Sequence, residues 1–386
     1  MNPTRLRRSS NPPASGAPHV PAPITVFERD THGYQCFRIP ALVRTPAGTL
    51  LAFAEGRMPA IHTDAWCHDA APIDLVLRRS TDGGQTWGPL QVLLRGAGRD
   101  DSGLTGPDGQ ATRGNPAPVV VARGPHAGRV ALLSCHNPAG VRARTPFAQV
   151  SDDDGMTFTP ARNISHVLPD GVGWFATGPQ HGWQLVEGPH AGRLVVGINY
   201  DVDGARYGGL LCSDDAGGTW FRGACSTGAD PEDIPQELGL VETSGGRLHA
   251  FARQNSHAPL TRQHAVSFDG GESFDGPFAG VPDLITTPRI QGSVVRVAPV
   301  GEPAPSGTPI LFSSPVDPDT RRTMTIWRSD DDAATWSEAE RLSDDRAGYS
   351  DLTVLAPGAV GILYETGAHP DGDARDTIRF ARIATP

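Results

Sequence analysis

Several short segments of this 386-residue chain carry side chains with well-defined chemistry. Arg38 sits in Cys36-Phe37-Arg38-Ile39-Pro40, Arg253 closes Gly246-Arg247-Leu248-His249-Ala250-Phe251-Ala252-Arg253, and Arg321-Arg322 follow Phe312-Ser313-Ser314-Pro315. A planar guanidinium grips a carboxylate through two parallel hydrogen bonds and never gives up its proton, so arginines gathered from such segments would hold a small anion. Tyr349, in Gly348-Tyr349-Ser350-Asp351-Leu352-Thr353, is a nucleophile only beside a base, because a free phenol titrates at about 10. Candidate bases are Glu237, with Glu232 and Glu242 nearby, and candidate proton carriers between Gly56-Arg57 and Ile73-Asp74 are Asp64, Asp69 and Asp74. His62, Cys67 and His68 lie close in sequence, but their spacing matches no metal-ligand pattern, and neither metal nor cofactor is expected.

The elements that position these residues are announced by one motif repeated five times. Ser80 to Trp87, Ser151 to Phe158, Ser213 to Trp220, Ser267 to Phe274 and Ser329 to Trp336 each read Ser-x-Asp-x-Gly-x-Thr/Ser-Trp/Phe, with Ala333 replacing one glycine. Asp bonds its own downstream backbone, Gly accepts positive φ, and the closing aromatic packs as a plug, so each copy reads as a hairpin staple. Successive copies are 71, 62, 54 and 62 residues apart, and the stretch from Ile24 to Pro386 holds about six such intervals. Short apolar runs such as Leu75-Val76-Leu77 and Leu194-Val195-Val196 fall between the motifs, and no stretch has helical periodicity. The expectation is an all-β, six-bladed β-propeller over residues 24–386, preceded by a disordered, Pro- and Arg-containing arm over residues 1–23.

With the Phe-Arg-Ile-Pro run and the five motifs, the chain resembles the sialidase (neuraminidase) family from about residue 24 to 380. The resemblance implies a three-arginine clamp on the substrate carboxylate, made here of Arg38, Arg253 and Arg321, with Arg322 competing for the third place. It implies that Glu365, in Gly361-Ile362-Leu363-Tyr364-Glu365, fixes the first arginine by a salt bridge. Tyr349 matches the family nucleophile and Glu237 its base. Asp69, five residues before Asp74, matches the acid/base, with Asp64 as alternative and Asp74 as scaffold. Arg57 would reach the sugar hydroxyls near C4, Arg296 would serve structure, and the turn motifs would lie on the face away from the active site. A tyrosine suits the reaction because a carboxylate beside the reacting carbon repels a carboxylate nucleophile, whereas a phenol arrives neutral. Gln254, Gln180 and Trp183 depart from the family pattern, and the last two are expected to line the floor near the site and narrow it against N-glycolyl substrates.

The function this implies is a retaining exo-α-sialidase that removes terminal sialic acids from glycans, glycoproteins or glycolipids through a tyrosyl-glycosyl intermediate. Alternatives are a trans-sialidase, using Trp66 as an aromatic acceptor platform, a hydrolase of a related acid such as KDN, and a non-catalytic carbohydrate-binding propeller. A net charge of −10 disfavours nucleic acid as a partner without excluding a small anion held by local arginines. Five cysteines, an odd number without a Cys-x-x-Cys pair, imply no disulfide framework. No apolar segment follows Arg7-Arg8 and none is long enough to span a bilayer, so no membrane insertion is expected, and a cytoplasmic location is the default with secretion left open.

Overall fold

The computed structural model of the protein describes residues 22–60, 64–96, 110–138, 141–255, 261–285, 289–317, 319–356 and 358–384. Residues 1–21 of the expected arm lie outside that set. The only helix among the described residues is one 3-10 turn, Ser165–Val167. The strands form six antiparallel blades of four, the number that the motif spacing predicts. Blade 1 comprises Cys36–Arg44, Leu50–Arg57, Ile73–Ser80 and Gln91–Leu94, and blade 2 Ala111–Val120, Val130–Pro138, Thr145–Ser151 and Arg162–Asn163. In blade 3 the inner strand is split into Val172–Thr177 and Trp183–Gln184, followed by Leu194–Val202, Ala205–Ser213 and Phe221–Ser226. Blade 4 is Pro235–Thr243, Arg247–Gln254, Thr261–Ser267 and Ala279–Ile285. Blade 5 takes Ser293–Arg296, Ile310–Pro315, Arg322–Ser329 and the first half of Ser337–Ala356, whose second half opens blade 6 with Ala359–Gly367 and Thr377–Ala384. The first described strand, Ile24–Glu28, pairs with the last, Thr377–Ala384, so the two share one blade and the ring closes.

All five turn motifs end the third strand of their blades and share one hydrogen-bond pattern. Ser80 Oγ donates to Asp82 Oδ1 at 2.8 Å and accepts from Gly84 N at 2.9 Å, while Asp82 accepts Thr86 N at 2.9 Å and Thr86 Oγ1 at 2.6 Å. In the last copy Ala333 N reaches Ser329 Oγ at 3.0 Å with φ at 69°, a conformation costing a Cβ-bearing residue about 1–2 kcal/mol. In three copies the aromatic plug seals the seam to the preceding blade rather than its own turn. Trp87 meets Phe380 of blade 6 at 5.5 Å between centroids, Phe158 meets Phe53 of blade 1 at 6.1 Å, and Trp336 meets Phe251 of blade 4 at 5.5 Å. These three staples therefore each hold two blades together.

At the opposite end of the ring, four innermost strands bulge at one height. The irregularities fall between Arg38 and Ala41, Gly114 and Ala117, Gln236 and Gly239, and Ala347 and Ser350. Ile39, Asn115 and Glu237 there adopt φ of 56°, 54° and 48°, strain on the order of 1–3 kcal/mol each. A bulge re-aims a side chain and frees a backbone N–H, and a buried side chain captures each one. Ile39 N and Tyr349 N donate to Glu365 at 2.9 and 3.0 Å, Asn115 N to Glu55 at 2.9 Å, and Glu237 N to Asn199 at 3.2 Å. Lower on the axis, the fully buried Asp351 of blade 6 accepts Leu42 N at 2.8 Å, His181 N at 2.9 Å and Ser293 Oγ at 2.7 Å, joining blades 1, 3 and 5 to its own.

Blade 4 also contains an acid-sensitive pair. His249 Nδ1 lies 2.9 Å from His264 Nε2, a gap that one hydrogen fills and two cannot. Burial pushes the rings down to about 3 for His249 and about 4 for His264, whereas in the unfolded chain they titrate at about 6.5. With folded values below unfolded ones, their contribution is complete above pH 6.5 and is lost as pH falls towards 4. At pH 5 each ring costs about 2 kcal/mol. The urea midpoint is expected to decline between about pH 7 and 4.5, and His264→Gln to flatten that decline; an equally steep fall in the variant would assign the acid limit to other groups.

Candidate active site

The bulges and the ends of the second strands bring the chemistry-bearing residues to one mouth of the ring. Tyr349 Oη donates to Glu237 Oε1 at 2.5 Å and accepts from Arg253 Nη1 at 2.9 Å, and the same Nη1 reaches Glu237 Oε2 at 2.9 Å. Burial, then the Glu237 carboxylate, raises the Tyr349 phenol above its ordinary value, while Arg253, Arg321 and Arg38 oppose that shift. The phenol is thus protonated at rest, with a base in contact and three cations placed to stabilise the phenolate. Ile39 and Ile290 pack against it in a small apolar cluster.

Arg38 is held end to end by Glu365, with Nε to Oε1 and Nη2 to Oε2 both at 2.9 Å. Burial works against its charge, but Glu365 more than compensates and the guanidinium is held above its ordinary value. Gly348 makes room for this: a Cβ there would sit 2.1 Å from Glu365 Oε2. Arg321 donates to Arg289 O at 3.0 Å and stands 6.0 Å from the Tyr349 ring, without a carboxylate partner among the described residues. Burial and the neighbouring arginines lower its pKa, so it is a cation awaiting an anion. Arg322 turns away to Asp317 at 3.8 Å. Three clustered arginines thus face two carboxylates, Glu365 and Glu237, and one positive charge remains uncompensated.

Arg57 forms a second anchor. It donates to Glu55 Oε2 from Nε at 3.0 Å and Nη2 at 2.7 Å, to Cys67 O at 3.1 Å, and ion-pairs with Asp69. Arg57, then Arg38, holds the Asp69 carboxyl well below the usual carboxylate range against the effect of burial, although its side chain is 75 % exposed to the open cleft and solvent screens the pair. Asp64 is exposed, and Asp74 accepts Tyr34 Oη at 2.7 Å and Gly96 N at 2.6 Å as scaffold. Glu242 accepts the backbone of Val186 and Glu187 at 2.8 and 3.1 Å, and Glu232 lies in an exposed segment. The cysteine reading needs correction: Cys36 and Cys67 form a disulfide, with Cα atoms 5.7 Å apart. The loop carrying Asp69 folds back beside the start of the first strand, a return that an odd cysteine count cannot reveal. Closing a loop of 31 residues is worth up to about 3–4 kcal/mol in the chain-entropy account. It also removes Cys67 from any ligand set, while His68 Nδ1 accepts Ala70 N and His62 lies outside the described residues.

Residues 48–362 match the BNR repeat-like domain. The chain is 33% identical over 348 residues to a sialidase of Micromonospora viridifaciens, covering 87% of this chain and 50% of that protein. It is 30% identical over 391 residues to an exo-alpha-sialidase of Aspergillus fumigatus, covering 90% and 82%. This chain belongs to the sialidase family. Among solved structures, Hadza microbial sialidase Hz136 superposes with a TM-score of 0.75 at 25% identity, covering 94% of this chain and 68% of that one. This family member spans about half the length of its Micromonospora relative.

Three residues of this sialidase-family site escape sequence reasoning. Glu55 shares a strand face with Arg57 two residues on, and that i, i+2 spacing was the available signal. Asp351 stood inside the Tyr349 segment, but nothing local betrayed its axial role. Arg262, 2% exposed, donates to Ser314 Oγ at 2.9 Å, and burial, then Arg253, pushes its pKa down to about 9. The expectation for Trp183 fails. Its side chain lies at the far mouth of the axis with Arg44 and Val354, 5.9 Å from Arg296, because the inner strand of blade 3 breaks after Thr177, opposite Ile198, and resumes only at Trp183, opposite Val195. Gln180 stays buried against Gly239. Trp66 has one face under Arg375 at 4.7 Å and also meets Arg29 at 5.6 Å, which leaves it little free surface as an acceptor platform.

Proposed function

We propose that the protein is a retaining exo-α-sialidase acting on terminal sialic acids of glycoconjugates, with the propeller from residue 24 onward as the catalytic unit. The observation that carries this reading is the 2.5 Å contact between Tyr349 and Glu237 beside an arginine cluster with one unpaired cation. The substrate carboxylate lies among Arg38, Arg253 and Arg321, which places the anomeric carbon over Tyr349. Glu237 takes the phenol proton as Tyr349 bonds to that carbon, and Asp69 protonates the departing glycosidic oxygen. Water then attacks the glycosyl-enzyme with Asp69 as base, and the configuration is retained. Arg57 reaches the sugar hydroxyls from the edge of the cleft.

Asp69 is ionised in the free protein, since Arg57 and Arg38 lower its pKa. A bound substrate carboxylate neutralises part of that positive field and favours proton uptake. Because a depressed pKa leaves little protonated acid at neutral pH, kcat/KM on natural glycosides should rise as pH falls towards the acid range. Asp69→Ala should cost natural sialosides about 10²–10⁴-fold, but far less on 4-methylumbelliferyl substrates, whose leaving group needs little protonation. Time-resolved NMR of the first-formed sialic acid tests the whole reading. Retained α-anomer is expected, and β-anomer or no turnover across α2,3-, α2,6- and α2,8-sialosides would overturn it.

A further inference from the structure

The arginine cluster does not end at the clamp. A cavity of about 420 Å³ runs from Arg38 and Arg321 to Arg346 and Arg375, with Asp373 as its one acidic wall residue. Arg38 is neutralised by Glu365 and Arg375 by Asp373 at 2.7 Å. Arg321 and Arg346 have no carboxylate partner among the described residues; Arg346 donates only to Pro370 O, at 3.2 Å. Two uncompensated cations thus share one cavity in a chain of net charge −10. The chain contains no lysine, and both cations are planar guanidinium forks suited to a carboxylate.

On the sialidase reading above, the carboxylate of the cleaved sugar answers Arg321 and leaves Arg346 unanswered. The glycosidic oxygen is bonded to the same carbon as that carboxylate, so the leaving sugar starts beside the clamp. The far wall of the cavity touches the loop that carries Asp69: Arg375 stacks 4.7 Å over Trp66 and reaches Trp66 O at 3.5 Å, three residues before Asp69. The leaving group therefore departs between Asp69 and this cavity. We infer that the cavity is a subsite for an anionic leaving group, a second sialic acid whose carboxylate pairs with Arg346, which makes sialic acid chains favoured substrates.

The test compares kcat/KM for an α2,8-linked sialic acid dimer and for 3′-sialyllactose, whose leaving group is neutral. The wild-type ratio is expected to exceed about fivefold in favour of the dimer at low salt and to shrink at about 0.5 M NaCl, where a half-buried pair is screened. Arg346→Ala and Arg346→Gln should each reduce the ratio at least about fivefold, and taking both rates on the same variant cancels any loss of folded protein. Equal rates in the wild type, or an unchanged ratio in both variants, would overturn the inference while leaving the sialidase reading intact. Failure to cleave either substrate would remove that reading and this subsite with it.

Discussion

Tyr349→Phe is expected to fold like the wild type and to lose about 10²–10⁴-fold in kcat, the scale of removing one positioned catalytic group. The ring keeps its place against Ile39 and Ile290 and the arginines around it, since only one oxygen is removed. That oxygen is the atom 2.5 Å from Glu237 and 2.9 Å from Arg253. Glu237 and Arg253 keep each other as partners at 2.9 Å, so no buried charge is orphaned and stability should change by about 1 kcal/mol or less. Residual turnover would proceed by direct attack of water, so any product should lose the retained configuration. Near-wild-type kcat with retained α-product from the Tyr349→Phe variant would remove the phenol from the mechanism and leave Glu237 as the candidate nucleophile.

The architecture was legible because each turn motif closes within eight residues. Ser, Asp, Gly and Thr make their bonds to one another, so a local string encodes a local structure, and its recurrence counts blades. Arg38 and Tyr349 were legible for a related reason, since the bulges that aim them are built into short, recognisable strand segments. Glu365, which holds both, was legible in its own strand segment, but the other residues that brace the site were not. Glu55 and Asp351 act across blades, Asp351 bonding Leu42 from 309 positions away, and the cross-blade targets Asn115 N and Leu42 N are backbone groups that any sequence would present. The Cys36–Cys67 bridge depends on how the loop after Arg57 returns, and Trp183 on a break in one inner strand, both decided by the packed ring rather than by the residues beside them. The sequence names the groups that meet substrate and, in Glu365, one group that orients them, whereas Glu55 and Asp351 become visible only once the blades are assembled.

Glu365→Ala tests the orienting group that the sequence did name, and its cost is expected to fall on stability and activity together. The carboxylate is fully buried and accepts four hydrogen bonds, two from Arg38 and one each from the backbone of Ile39 and Tyr349. Truncation leaves Arg38, 8% exposed, as a buried cation without its partner, which costs about 3–5 kcal/mol, and it strands two backbone donors at the bulges. The bulges then lose the bonds that over-determine their strained backbone, so Arg38 and Tyr349 no longer converge on one point. kcat/KM should fall by more than about 10²-fold, since misplacing reacting groups by about 1 Å has that effect. Glu365→Gln keeps the shape and one acceptor but turns an amide donor towards the other donors, so its urea midpoint should lie between those of wild type and alanine. If the alanine variant kept the wild-type midpoint and full turnover, Arg38 would be held by its strand alone, and the carboxylate that links two bulges to the clamp would have no part in placing the nucleophile.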